Sequence, residues 1–196
     1  GTLDWIKTAG GTLGDYAQAL YCDGNNLYIA GEIEGYGNVI TFEGSSTTLT
    51  SIGDNDLFLA KYDLSGNLLW AISEGGTYSD KALGVAADAN GNVYITGYFK
   101  DAINFGGTSP LTGAGDRDIY LAKYDSNGNF QWVRNAGSAG RDEAKSVICD
   151  PACNIYITGM HSGSLTFGST TLTSPNGYVN MFLVKYATDG TVIWAE

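Results

Sequence analysis

The run Ile119-Tyr-Leu-Ala-Lys-Tyr124 is apolar at nearly consecutive positions and carries neither a helical stripe nor a helix cap. A short run of this kind, rich in aromatic residues and bounded by turn formers, reads as a strand covered on both faces. The turn that follows is Asp125-Ser-Asn-Gly-Asn129. Asp and Asn bond their own backbone there, and Gly128 takes positive φ without a Cβ clash. Beyond it, Phe130, Trp132 and Arg134 alternate with Gln131 and Val133, the pattern of a more exposed edge strand.

This stretch recurs. Asp118-Ile-Tyr-Leu-Ala-Lys-Tyr-Asp-Ser-Asn-Gly-Asn-Phe-Gln-Trp132 parallels 56–70 and, more loosely, 180–194, and Lys61, Lys123 and Lys185 fall 62 residues apart. A second shared block precedes it. Asp15-Tyr-Ala17, Asp80-Lys-Ala82 and Asp142-Glu-Ala144 each lead through small residues to a turn and then to an apolar run: Leu27-Tyr-Ile, Val93-Tyr-Ile and Ile155-Tyr-Ile. Each unit therefore holds four strand candidates. A Gly/Ser/Thr-rich connection separates the second from the third, either a small extra hairpin or an ordered loop. The units are 10–74, 75–136 and 137–196. Residues 1–9, with Leu3-Asp-Trp5, read as an extra outer strand.

Repeats of this length are single supersecondary units that bury themselves against their neighbours. Four antiparallel strands, apolar on both faces, must be sandwiched. The pattern predicts an all-β protein, a β-propeller of four-stranded antiparallel blades with the first strand innermost and the fourth outermost. A two-sheet sandwich would explain the strands but not the 62-residue period. Three units are too few for a closed ring of the usual 4–8 blades. The expectation is an open segment, belonging to a longer array of repeats or completed by a second chain to about six blades.

The Asp-x-Phe-Leu-Ala-Lys-Tyr-Asp-x-x-Gly-Asn-x-x-Trp pattern, followed by Gly-Gly-x-x-x-Asp-x-Ala and Gly-Asn-Val-Tyr-Ile-Thr-Gly, resembles the SBBP-type β-propeller repeat. The second unit, Gly75 to Trp132, matches best. The first departs at Cys22, and the third at Cys149-Asp-Pro-Ala-Cys153. The resemblance implies a secreted or cell-surface bacterial protein. It brings no catalytic residues, because the shared positions are turn and core residues.

Composition adds habitat rather than chemistry. Ten Lys and Arg against 21 Asp and Glu give a net charge of −11 and a pI near 4.3. An acidic surface disfavours nucleic acid and anionic membranes. No run is long enough for a membrane helix, and no signal peptide is seen, although a processed chain would lack one. A single histidine, His161, argues against a multi-histidine zinc site and a Ser-His-Asp triad.

Some residues remain candidates for more than structure. The pairs Asp54/Asp56 and Asp116/Asp118 sit at loop–strand junctions and are candidate calcium ligands, or else caps of the third strand; Asn176 to Asn180 keeps part of the pattern. Asp15, Asp80 and Asp142 begin the innermost strands. They would form a ring at a channel mouth, binding a cation or sugar hydroxyls, or would accept backbone N–H groups from the adjacent blade. Cys149 and Cys153 flank a three-residue turn and are near enough in sequence for a disulfide; otherwise Cys149, like Cys22, is a small buried residue. The recurring Trp5, Trp70, Trp132 and Trp194 suit packing between blades or stacking on sugars. The reading that follows is a non-enzymatic scaffold with a protein or glycan partner. A carbohydrate-binding module is the alternative, and a hydrolase using channel carboxylates the third option.

Overall fold

A computed structural model describes residues 1–107, 109–175 and 178–196. Its described elements are all strands and turns. They form three successive four-stranded antiparallel blades of a β-propeller, the first extended to a six-stranded sheet by a hairpin, with a three-stranded and a two-stranded sheet beside them. After a short strand β1 (Ala9–Gly10), the first blade comprises β2 (Asp15–Cys22), β3 (Asn26–Glu34), β6 (Asn55–Asp63) and β7 (Leu68–Gly76). The second comprises β8 (Lys81–Ala87), β9 (Val93–Phe99), β12 (Asp118–Tyr124) and β13 (Phe130–Ala136). The third comprises β14 (Glu143–Cys149), β15 (Ile155–Ser162), β18 (Val179–Tyr186) and β19 (Val192–Ala195).

Each second-to-third connection is a hairpin. The pairs are β4 (Val39–Phe42) with β5 (Thr48–Thr50), β10 (Ala102–Asn104) with β11 (Leu111–Thr112), and β16 (Ser164–Phe167) with β17 (Thr170–Thr173). These hairpins tie blades together. Gly75 and Gly76, which end the outer strand of blade 1, pair with Asn104 and Ile103 of the blade 2 hairpin. In the same way Gly10 and Ala9 pair with Thr41 and Phe42. Residues 1–8, expected as part of an outer strand, form no strand of their own. Ladder pairing in this stretch is confined to Ala9–Gly10, with the Thr8 carbonyl accepting Glu43 N at 2.9 Å beside it.

The inner strand β8 lies between β2 and β14, which places the first strand of each blade at the centre of the arc. Two cores fill the blade junctions. Tyr28, Ala30, Leu57 and Leu59 of blade 1 pack on Val85, Val93, Ile95 and Tyr124 of blade 2. Tyr94, Ile119 and Leu121 of blade 2 pack on Val147, Ile157, Phe182 and Val184 of blade 3. A third cluster joins Phe58, Ala60 and Tyr62 to the blade 1 hairpin through Ile40 and Phe42. Consecutive apolar residues in the second and third strands thus serve two junctions at once, alternate side chains going to opposite faces. No described helix is long and apolar enough to cross a membrane.

Candidate functional site

The five Asp-initiated turns consume their own polar groups. Asp63 Oδ1 accepts the amides of Ser65 (2.9 Å) and Asn67 (2.8 Å), and its Oδ2 accepts the Asn67 side chain at 2.8 Å. Asp125 repeats this with Asn127 and Asn129. Asp88 and Asp150 add a tyrosine hydroxyl, that of the buried Tyr94 at 2.9 Å and of the half-buried Tyr156 at 3.0 Å. Asp23 likewise accepts Tyr28 at 2.9 Å. Bonds from Asn67 hold the Asp63 carboxyl below the usual carboxylate range, and Asn129 does the same for Asp125.

The repeat's lysine and tryptophan reach from one blade to the next turn. Lys61 lies over the Tyr28 ring and donates to Ser126 O at 3.1 Å. Trp70 donates its Nε1–H to the same carbonyl at 3.1 Å, with its indole against Gly128. Gly128 has φ 83°, and any side chain there would meet the indole. Trp5 makes the corresponding bond to Leu64 O at 3.0 Å, with its ring against Gly66. Between blades 2 and 3 the partners change. Lys123 takes Thr188 O at 3.2 Å, while Arg134 takes Gly190 O (3.1 Å) and Asp189 O (2.7 Å). The buried Nε1 of Trp132 is left without a hydrogen-bond partner.

The three inner-strand aspartates hold backbone. Asp80 is fully buried and accepts Gly76 N at 2.7 Å and Lys100 N at 3.1 Å. Asp142, also fully buried, accepts Ser138 N at 2.6 Å and Ser162 N at 2.9 Å. Asp15 takes Gly11 N at 2.8 Å and the Asn38 side chain at 3.0 Å. Their own amides complete the seam: Asp80 N donates to Asn55 O at 2.7 Å, and Asp142 N to Arg117 O at 2.9 Å, both in the preceding blade. Burial pushes the Asp80 carboxyl up to about 8, outweighing the amide bonds from Lys100 and Gly76. All three thus accept N–H groups from neighbouring segments; Asp80 and Asp142 are fully buried, whereas Asp15 is half-buried.

The candidate calcium pairs divide in the same way. Asp54 and Asp116 are exposed, and Asp116 pairs with Lys100 at 3.2 Å. Asp56 and Asp118 are buried. Asp56 Oδ2 accepts Ile52 N, and Asp118 Oδ2 accepts Ala114 N (3.0 Å) and Gly115 N (3.2 Å). Their other oxygens have no hydrogen-bond partner and press on Gly75 and Gly137, where a Cβ would collide with the carboxylate. That contact explains the glycine at the end of each outer strand. Burial raises both carboxyls above their ordinary value. Among the described residues no group of three or more His, Cys, Asp or Glu is placed to hold a metal ion. Asn176, the third copy of this pattern, lies outside the described residues.

Of the two readings of Cys149 and Cys153, the bridge is not formed: both thiols are free, as is Cys22. Cys153 occupies the turn position that glycine holds elsewhere, at φ 62°, and its sulfur accepts the Asn90 side chain of blade 2 at 3.7 Å. Burial pushes the Cys149 thiol up to about 12, so it stays protonated.

Two ion groups at the junctions escaped sequence reasoning. Glu32, buried in β3, meets Lys81 of β8 at 2.5 Å. Glu143, fully buried, meets Arg117 of blade 2 together with Arg141 (2.6 Å) and Lys145. Burial alone would raise the Glu143 carboxyl, but Lys145, Arg141 and Arg117 outweigh it and hold it near 2. Arg117 also lies over the Tyr98 ring at 4.3 Å. The available signal was the change of residue at one repeat position, Tyr16, Lys81 and Glu143, where charge reverses between units.

A largely apolar cavity of about 190 Å³ opens on blade 1, lined by Trp5, Leu27, Ile29, Phe58 and Tyr62 with Asp15 at its edge. The equivalent positions of blade 2 are Val93, Ile95, Tyr120 and Tyr124, all filled by blade 1 side chains. The cavity is thus the blade 1 counterpart of the face that blade 2 turns towards blade 1.

No family model matches the chain. It is 34% identical over 164 residues to an uncharacterized WD repeat-containing protein of Acanthamoeba polyphaga mimivirus, covering 74% of this chain and 12% of that protein. It is 30% identical over 141 residues to the regulatory protein FlaEY of Caulobacter vibrioides, covering 70% of this chain and 15% of that one. The chain spans less than a sixth of either relative. Similarity to a WD repeat-containing protein agrees with the three blades: the repeat is of β-propeller type.

Proposed function

We propose that this chain is a non-enzymatic interaction scaffold, a stretch of SBBP-type propeller blades in a secreted or cell-surface protein, with a protein as its partner. One observation carries the reading. The polar groups that recur in every unit are spent on turns and blade seams, so the variable exposed surface remains for recognition. Tyr36, 84% exposed beside the blade 1 hairpin, and Tyr178, 71% exposed before β18, stand on that surface. The relatives' names support the same direction, one being WD repeat-containing and one regulatory. WD repeats build propellers.

The test is direct binding of purified surface proteins, captured first on the immobilised chain. A saturable complex weakened by Tyr36→Ala supports the scaffold. Hydrolytic turnover lost in a folded Asp80→Asn variant would overturn it. Accessibility of an epitope tag on intact cells tests location. The two exposed tyrosines also favour a second reading, stacking on sugars. Silence on a glycan array by a folded chain would remove it.

A further inference from the structure

The two junctions inside the chain close on the same repeat positions with different charge. Between blades 1 and 2, Lys81 of the inner strand meets Glu32, one cation on one anion. Between blades 2 and 3, Glu143 stands in the place of Lys81 and Tyr98 in that of Glu32. Glu143 is fully buried, and Arg117, Arg141 and Lys145 all converge on its carboxylate. The same three positions are neutral at the first junction. Arg117 and Arg141 pair as Asn55 and Ser79 do, and Lys145 takes the bulge position of Leu83. One ion pair seals the first junction, so closure of a seam does not require three cations around one anion.

The surplus charge is placed to act. Glu143 is held near 2 and remains an anion at neutral pH, so two positive charges around it stay unmatched. Asp116, the other carboxylate that Arg141 senses, is matched by Lys100 at 3.2 Å. Asp142 is committed to Ser138 N and Ser162 N. Arg141 gives only its Nε–H to Glu143, at 2.6 Å. Its side chain is half-exposed, and both terminal nitrogens lack a hydrogen-bond partner among the described residues. Lys145, equally exposed, bonds Glu143 and keeps further N–H groups. Arg117 lies over the buried Tyr98 ring at 4.3 Å, which limits where its guanidinium can point.

We propose that Arg117, Arg141 and Lys145 form an anion-binding site that takes a single carboxylate of a partner protein, with the terminal fork of Arg141 as its principal donor. A guanidinium fork matches a carboxylate through two parallel N–H···O bonds. Cations drawn together by one buried carboxylate repel one another, and a second anion relieves that repulsion. The rest of the chain selects a small anion. At a net charge of −11 it repels nucleic acid and other polyanions, whereas a lone carboxylate meets the local excess of positive charge.

This inference rests on the scaffold reading and names the chemistry of its partner. The experiment is a titration of the intact chain in which sodium acetate replaces sodium chloride at constant ionic strength, followed at the guanidinium Nε–H signals by heteronuclear NMR. The chain has three arginines, and Arg134, bonded to the Gly190 and Asp189 carbonyls, is the internal reference. The Arg117 and Arg141 signals should shift saturably while that of Arg134 stays. Arg141→Gln and Lys145→Gln, both at exposed positions, should each weaken the binding read at Arg117 several-fold, with the backbone amide spectrum confirming the fold. Signals that do not move, or that move alike at all three arginines, overturn the proposal, and so does unchanged affinity in either variant. Saturation by inorganic phosphate with none by acetate would overturn the carboxylate and assign a phosphoryl ligand. A captured surface protein that needs Tyr36 but binds Arg141→Gln as well as the unaltered chain would sink this inference and leave the scaffold reading standing.

Discussion

At the scale of single residues, each repeated carboxylate works as a backbone clamp, and this predicts its titration. Asp80 ends up at about 8 because burial outweighs the amides of Gly76 and Lys100. A carboxyl whose folded value lies above its unfolded one, about 3.9, binds its proton more tightly in the folded chain. Its stabilising contribution is complete below about pH 4 and is lost as pH rises towards 8. Asp80→Asn should therefore flatten the fall in urea midpoint between those limits, a comparison read from melts across pH. An unchanged slope would exclude Asp80 as its source. Calcium is a second expectation at this scale. Asp56 and Asp118 each spend one oxygen on loop amides and press the other on a glycine. Chelation by EDTA should leave the thermal midpoint unchanged, and a rise with added calcium would show a site that these carboxylates do not describe.

At the scale of elements, one contact recurs with a variation that makes it testable. Trp70 spends its Nε1–H on Ser126 O, whereas the Nε1 of Trp132 is buried without a partner. Trp70→Phe should cost about 1 kcal/mol beyond the lost ring area, and Trp132→Phe should be neutral or stabilising at that atom. Equal losses in chemical denaturation would contradict this account. Glu143 gives the complementary case. It is a buried anion serving three cations that still reach water, so Glu143→Gln should cost about 2 kcal/mol at neutral pH. Its folded value near 2 lies below the ordinary one, so the contribution is present above about pH 4.5 and fades as pH falls towards 2. The four strands of each unit were legible because both faces of the second and third strands are apolar, which only a sandwiched sheet permits. Residues 1–8 repeat the residues of an outer strand yet form none, since a strand is made by its neighbour as much as by its own pattern. The charged groups at the junctions were not legible. Lys81 meets Glu32 across 49 residues, and Glu143 meets Arg117 across 26, so no local spacing announces them. The two readings of Cys149 and Cys153 were not separable in the sequence for a related reason. Proximity in sequence does not reveal that Cys153 takes the glycine position of the turn and turns its sulfur towards Asn90.

At the scale of the whole molecule, two forces oppose each other. The chain carries a net charge of −11, so its parts repel. The cores that fill the two blade junctions are apolar, and burying them is favourable and nearly insensitive to salt. Screening weakens the repulsion, since the Debye length falls from about 20–30 Å at low salt to a few ångströms near 1 M. The thermal midpoint should therefore rise as salt goes from about 0.02 to about 0.5 M. A fold resting chiefly on its ion groups, Glu32 with Lys81 and Glu143 with Arg117, Arg141 and Lys145, would lose stability over the same range. Melts at the two salt concentrations separate these cases. Glu143→Gln supplies the control, because it removes the most heavily paired anion: its midpoint should rise more steeply with salt than that of the unaltered chain, and a parallel rise would mean that the Glu143 group is insensitive to screening.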